Sequence, residues 1–465
     1  MTQAVRVGRF QSLLPALLFV ALLGVVYSDP LFFRRNFAGR DLLVYNLPIE
    51  KAVHQAYARG RLPIWIPEIS GGRPLAANPN VGAFYPVRPA LAIVPFPVAM
   101  RLFPILHWAA AGLGILLLLR SLGCSPAAAW IGAVTYAFSG VAVSEVFYPN
   151  YQPGMTLLPW VIWAVHRRTE LRTSSLLVPA IFFGLLMLAG DVFTIVLAVL
   201  AGFLWILLER APAGRPRDLL HFGSAFLLGS LLAAPQIIAA LLWAPETRRA
   251  VVGMPLGHSV SFSIAPLRFL ELVIPFPFGP TWAPDDAPVW GSRALQSRTV
   301  GYFTTLYAGA FSVVALVASR RARPAGSRFA LVFLLSGVLL SVVPGFLPAS
   351  WAGERSPLPL RYPEKFAVAF VLSLAILAGL AFDRFRSSRA VPRWPLLLAG
   401  LIAAMAAAAA LFPDRAGALA VALVGRQGAG IPQTPANSAA AAAAQLPATL
   451  AEAGLLWVAT CIALD

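Results

Sequence analysis

Residues 192–208 read VFTIVLAVLAGFLWILL, a run without a charged side chain. About 20 apolar residues, and at the lower limit about 17, cross the hydrocarbon core of a bilayer as a helix. The run therefore predicts a membrane span. Asp191 precedes it in a tight turn and Arg210 follows it in a basic loop. Working outward, similar runs lie at about 13–27, 98–119, 127–147, 155–165, 176–188, 219–243, 302–319, 329–343, 366–382, 396–411 and 450–464. Together they predict about twelve transmembrane helices.

Composition agrees with this reading. The 465 residues are 59% hydrophobic and 12% charged, with a mean hydropathy of +0.75. Soluble domains carry about 25% charged residues, so an ordinary soluble enzyme is excluded. Disorder is excluded too, because disordered chains are poor in aromatics, whereas this chain has 30 Phe and 12 Trp. The net charge of +17 would point to nucleic acid in a soluble protein. Here it is read as loop arginine that fixes membrane orientation, and no nucleic-acid partner is expected.

With the amino terminus inside, the inner connections hold Arg120; Arg167, Arg168 and Arg172; Arg210, Arg215 and Arg217; Arg320, Arg321, Arg323 and Arg328; and Arg384, Arg386, Arg389 and Arg393. Short outer connections such as 148–152 carry no Lys or Arg, as positive-inside topology requires. Arg6 and Arg9 precede the first run, which is read as a retained helix rather than a cleaved signal. The expected organisation is a transmembrane domain over 1–412 with outer loops at about 28–97, 244–301 and 344–365. A low-complexity outer loop over 413–448, with its alanine run at 439–444, and a last span over 449–465 would follow. The outer face thus holds nearly all of the non-helical sequence.

Outer loops longer than about 12–15 residues usually carry function. In the first, Asp41 precedes the amphipathic stretch 43–57, read as a short interfacial helix. Position alone leaves Asp41 as either a helix N-cap or a base held near the membrane surface, where burial and a nearby cation tune a carboxylate. Trp65, Trp108, Trp160, Trp163, Trp282 and Trp290 fall at span ends or in outer loops, where most serve as anchors and one or two could stack on a sugar. The only lysines are Lys51 and Lys365, both in or beside outer loops. Lys365 belongs to Arg-Tyr-Pro-Glu-Lys-Phe at 361–366, where Arg361, Lys365 and Arg355 could gather on a phosphate. Snorkelling to lipid headgroups is the alternative.

Glu145, Asp191 and Glu246 lie within or beside apolar runs, where ionisable groups are candidates for function. Solvation in a turn is the plainer role for Asp191, and pairing with Arg248 or Arg249 for Glu246. His107 and His166 have no partner at metal-ligand spacing, and Cys124 and Cys461 build neither a disulfide framework nor a thiolate site. No phosphate-binding glycine pattern stands between a strand and a helix.

These segments together resemble the bacterial YfhO family of membrane proteins, which belongs with the GT-C class of polyprenyl-phosphate-dependent glycosyltransferases. The resemblance runs through Asp41 and Tyr45, 60–67 with Leu-Pro-Ile-Trp, 72–74, 84–86, 122–140, 234–249, 270–279, 302–309 and 361–366. It implies an all-α GT-C-like bundle with long extracytoplasmic loops. It also implies sugar transfer from a polyprenyl-phosphate donor to a cell-envelope acceptor, with Asp41 as catalytic base. Substrate contacts would come from Tyr45, Lys51, Trp65, Tyr85, Arg361 and Lys365, the last two on the donor phosphate. A divalent metal could bridge that phosphate, but no ligand set for one is readable. One confident carboxylate rather than a pair implies single displacement with inversion. Family members are often longer, so the chain is read as a short variant or a fragment. The competing readings are a transporter or flippase for lipid-linked sugar, which lacks support from internal repeats, and a non-catalytic envelope assembly protein.

Overall fold

Proline and hydrogen bonds to distant carboxylates decide where the apolar runs stop being single helices. In the computed structural model, residues 2–69, 71–167, 176–279, 301–318, 324–351, 353, 356, 360–388, 394–424 and 435–464 are described. The chain is predominantly helical; the short hairpin of Trp65–Ile66 with Arg73–Pro74 is the one sheet among these residues. Among the described residues, five helices are long and apolar enough to cross a membrane: Phe96–Ser121, Val192–Glu209, Ser327–Phe346, Pro363–Ser387 and Trp394–Leu411. Counting two broken pairs as one span each raises this to seven, and Leu14–Val26 and Leu177–Ala189 are shorter apolar helices. The protein is a multi-pass membrane protein.

Two expected spans differ from their sequence reading. The run at 219–243 breaks by 73° between Pro212–Leu232 and Ala234–Glu246, because Pro235 lacks an amide proton and disfavours helical backbone in the residue before it. The run predicted at 302–319 is, over its described residues 302–318, helical only at Ala310–Ala318. Its first part is held in irregular backbone because the amides of Tyr302, Phe303 and Leu306 donate to buried carboxylates instead of to a helical ladder. The stretch 413–448, expected as a loop, contains the helix Pro413–Val424 and the first part of Pro435–Leu464. Alanine is the strongest helix former, so its alanine run extends a helix rather than a coil.

The chain divides into two units, the first of residues 1–137, 145–253 and 323–333 and the second of 138–144, 254–322 and 334–465. In the first unit the long loop after the first helix folds around a core of its own. Ile49 and Val53 of the helix Leu47–Ala58 pack with Ile66, Leu75, Val81 and Ala83. Tyr57 Oη donates to the Ala83 carbonyl at 2.7 Å, and Gln236 Nε2 to the Ala76 carbonyl at 2.7 Å. Gly190 has φ +79° and an added Cβ would sit 1.8 Å from the Pro79 carbonyl oxygen, so glycine is required where this loop meets the helix end.

In the second unit the helix Ala367–Ser388 is buried on every side over its first half, as expected for a helix that is apolar all round. A second cluster packs Trp457, Leu450 and Ala453 against Ile402 and Ala406, and Trp457 Nε1 donates to the Val273 carbonyl at 2.8 Å.

Candidate functional site

In the first unit, Asp41 stands at the entrance to a π-helical turn, Leu42–Asn46, that runs directly into the helix Leu47–Ala58. Such wide turns are rare and frequent at functional positions. Both sides of the carboxylate are braced on one residue. Gly39, at φ +132°, lies so close to the Phe147 ring that a Cβ would come within 3.1 Å of it, while Asn46 Nδ2 donates to the Phe147 carbonyl at 3.2 Å. Leu42 is buried. Asp41 itself is exposed and its side chain makes no capping hydrogen bond. The N-cap reading is therefore not its role here.

The other residues expected from this loop divide into exposed and buried. Tyr45 shares the π-helical turn with Asp41 and is exposed, and Lys51 is exposed on the next helix. Trp65 is 56% exposed on the hairpin, with one part of its indole against Gly72. Tyr85 is buried, against the expectation of a substrate contact. Its hydroxyl bonds His107 Nε2 at 3.1 Å, and His107 Nδ1 lies 2.6 Å from the Phe103 carbonyl. A carbonyl can only accept, so Nδ1 carries the proton and Nε2 takes that of the phenol. Burial pushes the Tyr85 phenol up, with the Arg88 charge opposing. Arg88, paired with Glu50 in the interior, lies 5.5 Å from the Phe103 ring centre. This buried network holds the loop in place and was not singled out from sequence.

In the second unit, Arg361 and Lys365 converge on aromatic rings. Arg361 Cζ lies 4.5 Å from the centre of the Tyr362 ring and its guanidinium donates to the Tyr362 hydroxyl. Lys365 Nζ lies 5.3 Å from that same ring and 4.9 Å from Tyr302, whose ring stacks at 5.8 Å on Tyr362. Cations over ring faces gain from the quadrupole. Two of them on one ring also concentrate positive charge, and the buried Nε of Arg361 has no hydrogen-bond partner among the described residues. Tyr362 is held at φ +67° and Phe262, edge-on to it at 4.8 Å, at φ +60°. Left-handed backbone at non-glycine residues stores strain and clusters at binding sites.

What holds this strained segment is a buried ionic knot. Arg268 Nε and Nη2 donate to the two carboxylate oxygens of Glu271 at 2.6 and 3.0 Å, and Nη1 pairs with Glu364. Glu364 further accepts from the amides of Tyr302 and Phe303 at 2.8 and 3.1 Å, and Glu271 from that of Leu306 at 2.7 Å. Burial alone would lower the Arg268 guanidinium, but its two carboxylates push it up. Burial raises Glu271 in spite of Arg268. Glu364 sits between Tyr362 and Lys365 in sequence, so the knot fixes the backbone that carries both cations. Its acids are consumed by Arg268, and the charge left to the cluster is cationic, carried by the half-buried Arg361 and the buried Lys365.

Asp191 is a helix cap: its carboxylate accepts from Phe193 N at 3.1 Å and from the Thr194 hydroxyl. Glu145 is buried and Glu246 is exposed. Arg355, Trp282 and Trp290 lie outside the described residues. Among the described residues no group of three or more His, Cys, Asp or Glu could hold a metal.

No known family model matches the sequence, and no curated protein matches it significantly. Among solved structures, the chain is similar to ArnT from Cupriavidus metallidurans bound to undecaprenyl phosphate, with a TM-score of 0.56 and 17% identity over 95% of this chain and 77% of that one. The fold is that of the GT-C glycosyltransferases. The archaeal oligosaccharyltransferase AglB from Archaeoglobus fulgidus, in complex with an inhibitory peptide and a dolichol-phosphate, is more distant, at a TM-score of 0.44 and 16% identity over 90% of this chain and 56% of that one. AftD from Mycobacteria is similar at a TM-score of 0.45 and 18% identity, over 86% of this chain and 29% of that one. The likeness in fold rests on the first of these, and it agrees with the helical architecture expected from sequence.

Proposed function

We propose that the chain is a membrane glycosyltransferase that moves a sugar from a polyprenyl-phosphate donor to a cell-envelope acceptor on the extracytoplasmic face of a bacterial plasma membrane. The observation that carries this reading is the Arg361–Tyr362–Lys365 cluster on a GT-C fold, since the similar ArnT structure holds undecaprenyl phosphate. Asp41 takes the proton of the acceptor hydroxyl as its oxygen forms the new bond to the anomeric carbon. The bond from that carbon to the phosphate oxygen breaks, and polyprenyl phosphate leaves with the electron pair and gains negative charge. Arg361 and Lys365 stabilise that charge, where fixed cations are worth most. The anomeric centre inverts. Tyr45, Lys51 and Trp65, exposed in the first loop, supply contacts to the substrates. A donor that keeps its chain in lipid needs no nucleotide-binding domain.

The test is to incubate membranes containing the protein with radiolabelled polyprenyl-phosphate sugars and follow label into envelope polymers. Transfer is expected with the native chain, and its loss with Asp41→Asn while the protein still inserts and folds. Full transfer by Asp41→Asn removes Asp41 as base. Label that changes leaflet without any new glycosidic bond identifies a flippase instead.

A further inference from the structure

The second unit contains an apolar groove of about 460 Å³, within the size range of ligand sites. Its walls include Leu270 and Phe278 on one side, Phe412 and Leu419 on another, and Leu450 of the last helix. The helices cannot close it, because alanines at 408, 409, 416 and 420 face it where larger side chains would fill it. A dry void loses the contacts of every atom that lines it, so in a bilayer the groove takes up hydrocarbon. Among the described residues that line it, Arg415 is the one that is charged; it is exposed, with its guanidinium 5.9 Å from the Phe412 ring centre. An apolar slot with one cation at its rim is complementary to a single chain ending in an anionic headgroup.

We propose that this groove binds one glycerophospholipid, an acyl chain along the slot and the phosphate at Arg415. A single alkyl chain of ordinary length matches the volume, whereas a polyprenyl chain is several times longer. The assignment is independent of the glycosyltransferase reading, whose donor phosphate is placed on other cations. It also gives the lipid a structural task. Leu267 and Leu270 face the groove from the turn Pro266–Leu272, and Arg268 and Glu271 of that same turn form the buried knot. A seated chain therefore packs against the turn that holds Glu364.

Native mass spectrometry of the full chain from mild detergent tests this. One phospholipid per chain is expected to survive purification, with thermal stability falling on delipidation and returning when phosphatidylglycerol is added back. Ala420→Phe should fill the groove and abolish retention. Arg415→Gln, a surface change that leaves the fold intact, should keep the lipid but lose about threefold to fivefold of the preference for phosphatidylglycerol over phosphatidylcholine, as for an exposed ion pair. The proposal is overturned if the native chain retains no lipid or polyprenyl phosphate instead, if folded Ala420→Phe retains as much, or if Arg415→Gln leaves headgroup preference unchanged.

Discussion

Arg268 and Glu364, 96 positions apart in the chain, form an ion pair in the interior, where each side chain is 1% exposed. Removing one member of a buried pair leaves a charge stranded and costs about 3–5 kcal/mol. Arg268→Met strands both Glu271 and Glu364 and is expected to lower the melting temperature more than Glu364→Gln, which leaves Arg268 its bidentate bond to Glu271. Thermal unfolding in detergent, followed by near-ultraviolet circular dichroism, checks the order. Equal melting temperatures for the native chain and Arg268→Met would mean the knot does not hold the unit together.

Lys365→Gln should act on the donor rather than the acceptor. Loss of a charge-assisted contact of roughly 1.5 kcal/mol corresponds to about a tenfold rise in donor KM. Arg361→Gln should do the same, and the pair together should exceed either alone. Steady-state kinetics with each substrate varied in turn separates the cases, and equal effects on both substrates would argue against a phosphate role.

Asp191 is expected to be structural. Asp191→Asn keeps a capping oxygen and should leave stability and transfer near native values, while Asp191→Ala should cost about 1 kcal/mol of stability. A loss of turnover in Asp191→Asn with unchanged melting would contradict the cap assignment and require a role for the charge.

Tyr307 predicts an alkaline limb in the stability profile. Burial pushes its phenol up to about 12, with Glu452 adding to the shift and a bond to Ala310 opposing it. In the unfolded chain the group titrates near 10. The folded state thus keeps a proton that the unfolded state releases, so its contribution is fully present below about pH 10 and is lost as pH rises toward about 12. Tyr307→Phe should flatten that part of the profile in melts recorded across the same range.

Sequence made the helical membrane class legible because the bilayer imposes a length on apolar runs that composition cannot hide. It also pointed to Arg361 and Lys365, since lysine is so rare in this chain that Lys365 stands out. It did not reveal Arg268, Glu271 or Tyr302 as partners of that segment. Their bonds join 266–272, 301–306 and 362–366, and no local pattern encodes a contact at such separation. The irregular backbone over 302–309 was unreadable for the same reason: the residues are apolar enough for a helix, and only the distant carboxylates draw their amides away. Tyr85 and Asp191 were visible as polar groups near membrane helices, but whether such a group meets substrate or a neighbouring main chain depends on tertiary placement.

The wide turn over Leu42–Asn46 has a consequence for how this segment can vary. Deleting a single position from it would restore ordinary helical winding and keep the following helix intact. Because each residue of an α-helix advances about 100° around the axis, the same deletion would swing everything before it by more than a quarter turn, the carboxylate of Asp41 included. Natural variants of this protein should accordingly tolerate substitution in the turn far better than a change in its length.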